Sequence, residues 1–395
     1  MRAKSSGNDR NRQMLNSDER RRLFPVTEKW IYLNHAAVGP LPSYGRDAAE
    51  RYIESLSIEG EKHWERTGAL IEELRGMLAR ALRMPANGIA FTRNVSEGLS
   101  ILSSGLDWRS GDNVVLPSVE FPANVYPWMN LERLGVELRR VEPVEGRISV
   151  DSIANTINER TRLVSISSVQ FFSGFVADLP AIADACRKRG ALLCVDCIQH
   201  LGALPLDMAA SGIDFLAGGG HKWLMAGEGI GFVACRPELA ERLRPGLIGW
   251  QGVRQWEDFF DQRLDFKEGA LRFETGTLSA LGIHTLHASL RVLASFGIDR
   301  AADLVRENAR LVRRGALRRG FELALPEAET ASAAGTSGIT SFRIEGVSAS
   351  DTAMKLRGVG VQISARQGYF RVSPHFYNTP DEIEEFFARL DALVG

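Results

Sequence analysis

The sequence predicts an α/β protein: a mostly parallel central sheet wrapped by helices, followed by a smaller α+β C-terminal domain. Three observations carry this. Strand-like runs alternate with helix-like stretches up to about residue 277, the pattern of β–α–β units. Most of those runs are apolar throughout, as expected of strands covered on both faces. After Leu278 the rhythm changes to long amphipathic helices and a late group of strands.

In chain order, residues 1–23 are polar, with Arg10, Arg12 and Arg20 to Arg22. They lack an apolar core of signal-peptide length and read as a flexible arm. Residues 24–277 read as the large domain, with strand candidates at 89–92, 113–117, 163–168, 192–196, 215–217 and 230–234. Between them, 178–189 gathers Leu179, Ile182, Ala183 and Cys186 on one helical face. Residues 278–395 read as the smaller domain, on which the N-terminal segment packs. It holds helices over 278–296, 303–319 and 381–394, a small-residue loop over 331–338, and strands over 340–344, 361–364 and 369–373.

A length of 395 residues suits about two domains at roughly 100–200 residues each. The formal charge of −1 gives no reason to expect nucleic acid or an anionic membrane as partner. No apolar run reaches the ~18 residues of a membrane span. Cys186, Cys194, Cys197 and Cys235 lie in apolar surroundings, which suits a reducing cytoplasm. Cys194 and Cys197 supply two ligands at most, and His284 with His287 shows no third, so no metal is expected.

Ligands of parallel sheets sit beyond the carboxyl ends of the strands. The run LLCVDCIQH (192–200) ends an apolar strand at Asp196. A buried carboxylate needs a partner. A protonated pyridine nitrogen is one, and keeping it protonated makes such a ring an electron sink. A helix-capping aspartate would look the same. Gln199 is spaced to reach a 3-oxygen on that ring. The run DFLAGGGHKW (214–223) leads a strand through three glycines into His221, Lys222 and Trp223. Glycine admits close approach, and partial desolvation favours a neutral, nucleophilic lysine amine. Taken alone, Lys222 reads more readily as a surface lysine after a flexible loop. The spacing is not that of a Walker phosphate loop, because position 215 is Phe and Trp follows the lysine.

The pair, with Lys222 26 residues beyond Asp196, resembles the class V aminotransferase family of pyridoxal phosphate enzymes. That family includes cysteine desulfurases, kynureninases and isopenicillin epimerase-like proteins. The resemblance covers nearly the whole chain after the arm. It implies the fold type I of pyridoxal-phosphate-dependent transferases. It also implies pyridoxal 5'-phosphate held by Lys222 as an imine (aldimine), with Asp196 on the ring nitrogen and His221 alongside. Tyr32 to Ala37 matches the family's opening segment, which puts Asn34 and His35 beside the substrate pocket. Phe91 to Glu97 matches the phosphate turn, with Val95, Ser96 and Glu97 at a helix start whose free N–H groups and dipole suit an anion. Phe121 stands where an aromatic residue stacks on the ring. Many relatives have histidine there, and a phenyl ring stacks but exchanges no proton. Phe171 replaces an amide side chain of the desulfurases, which shifts ring-oxygen bonding toward Gln199.

Arg272 to Thr277 matches a segment that reaches the partner's cofactor in relatives, with Gly276 and Thr277 at its tip and Thr277 opening the helix from Leu278. This implies a homodimer with composite sites. Arg371 matches the arginine that grips the substrate carboxylate, a task suited to its paired donors; Arg366 is close enough to assist. Desulfurases carry a nucleophilic cysteine on a loop shortly before that arginine. Residues 358–371 contain none, so persulfide chemistry of that kind is not expected. The expected reaction is proton removal by Lys222 at Cα of a small amino acid, leading to β-elimination of the C–S lyase kind from cysteine or a derivative. Transamination is the alternative; epimerisation and non-catalytic cofactor binding come after it.

Overall fold

A computed structural model describes residues 15–325 and 336–395. The first 14 residues of the expected arm, and residues 331–335 of the expected loop, lie outside the described residues. The strands are β1 (Ile31–Tyr32), β2 (Ile89–Thr92), β3 (Asn113–Pro117), β4 (Glu137–Val141), β5 (Thr161–Ser167), β6 (Leu192–Asp196) and β7 (Phe215–Gly219). They continue with β8 (Gly231–Cys235), β9 (Glu322–Leu323), β10 (Thr340–Arg343), β11 (Val361–Gln362), β12 (Ser364–Arg366) and β13 (Tyr369–Val372). The helices begin with α1 (Ser17–Leu23), α2 (Ser43–Glu59), α3 (His63–Leu82), α4 (Val95–Gly105), α5 (Tyr126–Met129) and α6 (Val150–Thr156). They continue with α7 (Leu179–Arg187), α8 (Pro237–Arg242), α9 (Ala280–Phe296), α10 (Ile298–Arg318), α11 (Ala349–Gly358) and α12 (Pro380–Val394).

The main sheet has the order β2-β8-β7-β6-β5-β3-β4. From β7 to β4 all neighbours are parallel, and β8 runs antiparallel between β2 and β7. This is the mostly parallel sheet the sequence predicts. Its two faces bury different residues of the same strand. Leu193 and Val195 of β6 join one core with Leu78 of α3 and Leu286 of α9. Cys194 joins the other with Leu99 of α4. That alternation is the two-residue period of a strand, and it explains why the runs read as continuously apolar. Each fully buried Leu or Val contributes about 1.5–3 kcal/mol.

A third core gathers Leu33, Val312, Phe342, Phe370 and Phe386. It lies against the antiparallel sheet β12-β13-β10-β9. The N-terminal segment enters this unit directly: β1 pairs with β11, and Asn34 bridges Ser373.

Two expectations are corrected. The last residues of the supposed flexible arm form α1, capped reciprocally by Asn16 and Glu19. Arg20 donates to Glu382 of α12 at 2.5 Å; cap and ion pair together hold the segment. Thr277 does not open α9. The cap is Ser279, whose hydroxyl accepts from Gly282 N–H, and Thr277 lies exposed ahead of it. No described helix is long and apolar enough to cross a membrane.

Candidate active site

Because β2, β6 and β7 point the same way, Thr92, Asp196 and Gly219 end on one edge of the sheet. A cavity of about 370 Å³ opens there, with Val95, Ser96, Phe121, Asp196, Lys222 and Arg371 among its walls. His221, Phe171 and Arg366 also line it.

Lys222 sits on the turn after β7, and its backbone is pinned from three sides. Gly39 N–H donates to the His221 carbonyl at 2.7 Å, and Met225 N–H donates to the Lys222 carbonyl at 3.1 Å. His375 Nε2 lies 3.0 Å from the Trp223 carbonyl. Gly39 must be glycine, since an added Cβ would stand 2.0 Å from the Lys222 carbonyl oxygen. The lysine side chain is buried, with Nζ 5.6 Å from the centre of the Phe121 ring. Burial pushes the amine down to about 8; Asp196 opposes this, and Arg371 and Arg366 reinforce it. A desolvated ammonium loses hydration that one carboxylate does not restore.

Asp196 ends β6 and is buried. Its Oδ1 accepts from Ile198 N–H at 2.9 Å. Burial raises its carboxyl to about 6, against the Ile198 N–H and Lys222, with Glu120 adding to the rise. Glu120 was not singled out from sequence. It is a buried carboxylate that accepts from Ser167 N–H (2.8 Å), Ser167 Oγ (2.5 Å), Asn124 Nδ2 (3.0 Å) and Gln170 Nε2 (2.7 Å). These bonds tie the segment bearing Phe121 to β5. The available signal was the serines at 165 and 167 in the otherwise apolar run 163–167.

The residues fit pyridoxal 5'-phosphate. The N–H groups of Val95 and Ser96, in the first turn of α4, donate to no described residue, which is an anion seat. Asp196 Oδ2 has no hydrogen-bond partner among the described residues, so a carboxylate oxygen is free for a ring N–H. Lys222 lines the same cavity, and Phe121 offers a ring face that Phe171 buttresses edge-on at 5.2 Å.

Other nominated residues lie elsewhere. Gln199 donates to the Ala36 carbonyl at 2.9 Å and accepts from Trp223 Nε1 at 2.8 Å; it joins the opening segment to the lysine segment behind the cavity. His35 is fully buried, with Tyr377 Oη 2.8 Å from Nε2 and the Ser373 carbonyl 3.2 Å from Nδ1. Burial and the neighbouring His375 hold it well below the usual histidine range. Asn34 is buried beside it, and the cavity is bordered instead by residues 36–38. Glu97 turns back to Arg93, accepting from its N–H at 2.7 Å. Gly276 and Thr277 do not line the cavity of their own chain.

Arg371 donates to the Phe171 carbonyl at 2.7 Å and to Ser364 Oγ at 3.1 Å. Burial, reinforced by Arg366, draws it down to about 10. All four cysteines are buried and unpaired, and none lines the cavity. Burial lifts each thiol, Cys186 to about 12. His284 and His287 line a different cavity of about 910 Å³ between α2, α3 and α9 that contains no lysine. Among the described residues no three His, Cys, Asp or Glu side chains converge as metal ligands.

Residues 31–386 match the family model for aminotransferase class-V. The chain is 28% identical over 366 residues to an uncharacterized aminotransferase, YcbU, of Bacillus subtilis, covering 93% of this chain and 95% of that protein. Among solved structures it resembles the apo cysteine desulfurase of Thermococcus onnurineus NA1, with a TM-score of 0.87, 24% identity, and 96% and 98% of the two chains covered. It also resembles the cystine C-S lyase C-DES in complex with its product cysteine persulfide, with a TM-score of 0.84, 24% identity, and 93% and 98% covered. With the match spanning every wall of the Lys222 cavity, this chain belongs to the class V aminotransferase family of pyridoxal 5'-phosphate-dependent enzymes.

Proposed function

We propose that the enzyme catalyses β-elimination from a cysteine-like amino acid, in the manner of a C–S lyase that works without a persulfide-forming cysteine. The observation that carries this reading is the set of groups on the cavity wall. It offers one desolvated amine, Lys222, and no thiol. The residue at 121 is phenylalanine, which leaves no imidazole over the ring face.

The bound cofactor supplies an electron sink that acidifies the substrate's Cα–H. Arg371 holds the α-carboxylate and fixes the substrate's orientation. Lys222 would hold the cofactor and, as the amine on the cavity wall, would serve as the general base for the Cα proton. Asp196 keeps a proton on the ring nitrogen. Phe121 would offer its ring face to the cofactor ring. In the net reaction the Cα proton and the β-sulfur substituent leave, and hydrolysis of the remainder gives pyruvate and ammonia.

The test is incubation of the purified protein with L-cystine, L-cysteine and related thioethers, with pyruvate and sulfur products measured. Pyruvate release that vanishes in Lys222→Ala supports the reading. A half-reaction that stops until a keto acid is added would replace it with transamination, the second reading, which the likeness to the Bacillus aminotransferase favours.

We further infer a homodimer. Leu247, Ile248, Trp250, Phe259, Phe260 and Leu264 are exposed, and Phe260 is 95% exposed. They form an apolar stretch just ahead of the Gly276 segment, and patches of this kind mark association surfaces. Light scattering at the mass of two chains tests this. Four unpaired thiols suit the reducing cytoplasm as its location.

A further inference from the structure

The Lys222 cavity carries more positive charge than a simple amino acid uses. Arg371 and Arg366 both line it. Neither makes an ion pair with a carboxylate among the described residues: Arg371 binds the Phe171 carbonyl and Ser364, and Arg366 binds only its neighbour's carbonyl, Ala365 O, at 2.7 Å. Among the described residues Asp196 is the one carboxylate on the wall, and the ring nitrogen claims it. The phosphate has its seat at the start of α4.

The backbone fixes both guanidiniums on one face. β12 and β13 form a hairpin in which Ser364 stands opposite Arg371 and Arg366 opposite Tyr369. Residues two apart share a face of a strand, and directly opposed residues share it too. Arg366 and Arg371 therefore project from the same side. The turn is Gln367-Gly368, with φ of 50° and 81°, the pair of positive values a two-residue hairpin demands. This short turn occupies the interval in which no cysteine occurs, and it places Arg366 at the cavity rim. Arg371 is buried and Arg366 exposed. The two are near enough for Arg366 to depress the basicity of Arg371.

We propose that Arg366 receives a second anionic group of the substrate. The substrate class is then amino acids whose side chain, or whose sulfur-linked leaving group, ends in a carboxylate or comparable anion. This rests on the reading of Arg371 as the holder of the α-carboxylate. An arginine fork at the rim meets a carboxylate with paired donors, and a partner anion relieves the repulsion between the two guanidiniums.

The experiment titrates the cofactor-loaded enzyme with succinate and with butyrate, four-carbon acids that lack an amine and so do not turn over. Binding is followed by calorimetry and by the change in cofactor absorbance. Succinate should bind about tenfold tighter than butyrate, the scale of one added charge-assisted contact. Arg366→Gln should bring succinate to the level of butyrate while leaving butyrate unchanged, and Arg366→Lys should keep part of the preference. Equal binding of the two acids by the wild type overturns the proposal. So does an Arg366→Gln variant that weakens both acids alike, since Arg366 would then serve the first carboxylate. If succinate is preferred but no amino acid yields pyruvate, the elimination reading fails and the second anion site stands.

Discussion

The depressed basicity of Lys222 is the feature most open to measurement. Its amine falls from the ordinary 10.5 to about 8. At 1.36 kcal/mol per unit, this biases the neutral form by about 3 kcal/mol. At pH 7 about one lysine in ten is then neutral, against about one in three thousand for a free side chain. Only the neutral amine attacks an aldehyde. Apoprotein mixed with pyridoxal 5'-phosphate in a stopped-flow instrument should capture it at a rate that rises with pH and levels off above about 8. Asp196→Asn removes the charge that holds the amine up and should move the midpoint lower. Arg371→Gln removes a cation that pushes it down and should move the midpoint higher. The linkage has a definite sign. A lysine depressed in the folded state costs stability while the unfolded chain holds its proton and the folded chain is forced to share it; apoprotein stability should therefore rise as pH climbs from about 8 toward 10.5. A midpoint near 10.5, or a rate that does not vary with pH, refutes the argument.

Two further outcomes follow from packing. Arg75 is buried and donates to both oxygens of buried Glu274, at 2.8 and 3.2 Å; Arg75→Met leaves that carboxylate unpaired and should cost about 3–5 kcal/mol by denaturant titration, much of it regained by adding Glu274→Gln. Gly39→Ala drives a methyl group into the Lys222 carbonyl oxygen and should cost about 1–3 kcal/mol, with weaker retention of the cofactor on dialysis.

The sequence made the strands buried on both faces legible. β2, β3 and β6 carry the expected bounds because strands covered on both faces are apolar without interruption. β4 was missed for the opposite reason: only its Val141 is buried, and its charged residues break the apolar pattern. α2 and α3 went unnamed; α2 buries only Ser43, Gly45 and Ala48 within this chain. In the site, Asp196 and Lys222 after strand ends and Val95 and Ser96 at a helix start meet in one cavity with Phe121 and Arg371, which only the family resemblance pointed to. Asn34, His35 and Gln199 do not line it. Polar side chains near a site look alike in sequence whether they face the ligand or brace the wall. Only the tertiary partners, Tyr377 for His35 and Trp223 for Gln199, separate the two roles. Glu120 escaped notice because its four donors are scattered over residues 124–170.

The bonds that pin the lysine segment come from opposite ends of the sequence: Gly39 grips it from one side and His375 from the other. Asn34 and His35 are themselves held by Ser373 and Tyr377. During synthesis the sheet strands through β8 emerge long before residue 378 does. A nascent chain can thus own Asp196, Lys222 and the start of α4 and still lack the clamp that orders them. Acquisition of the cofactor becomes a late checkpoint, passed only once the ribosome has delivered the segment that closes on the beginning of the chain.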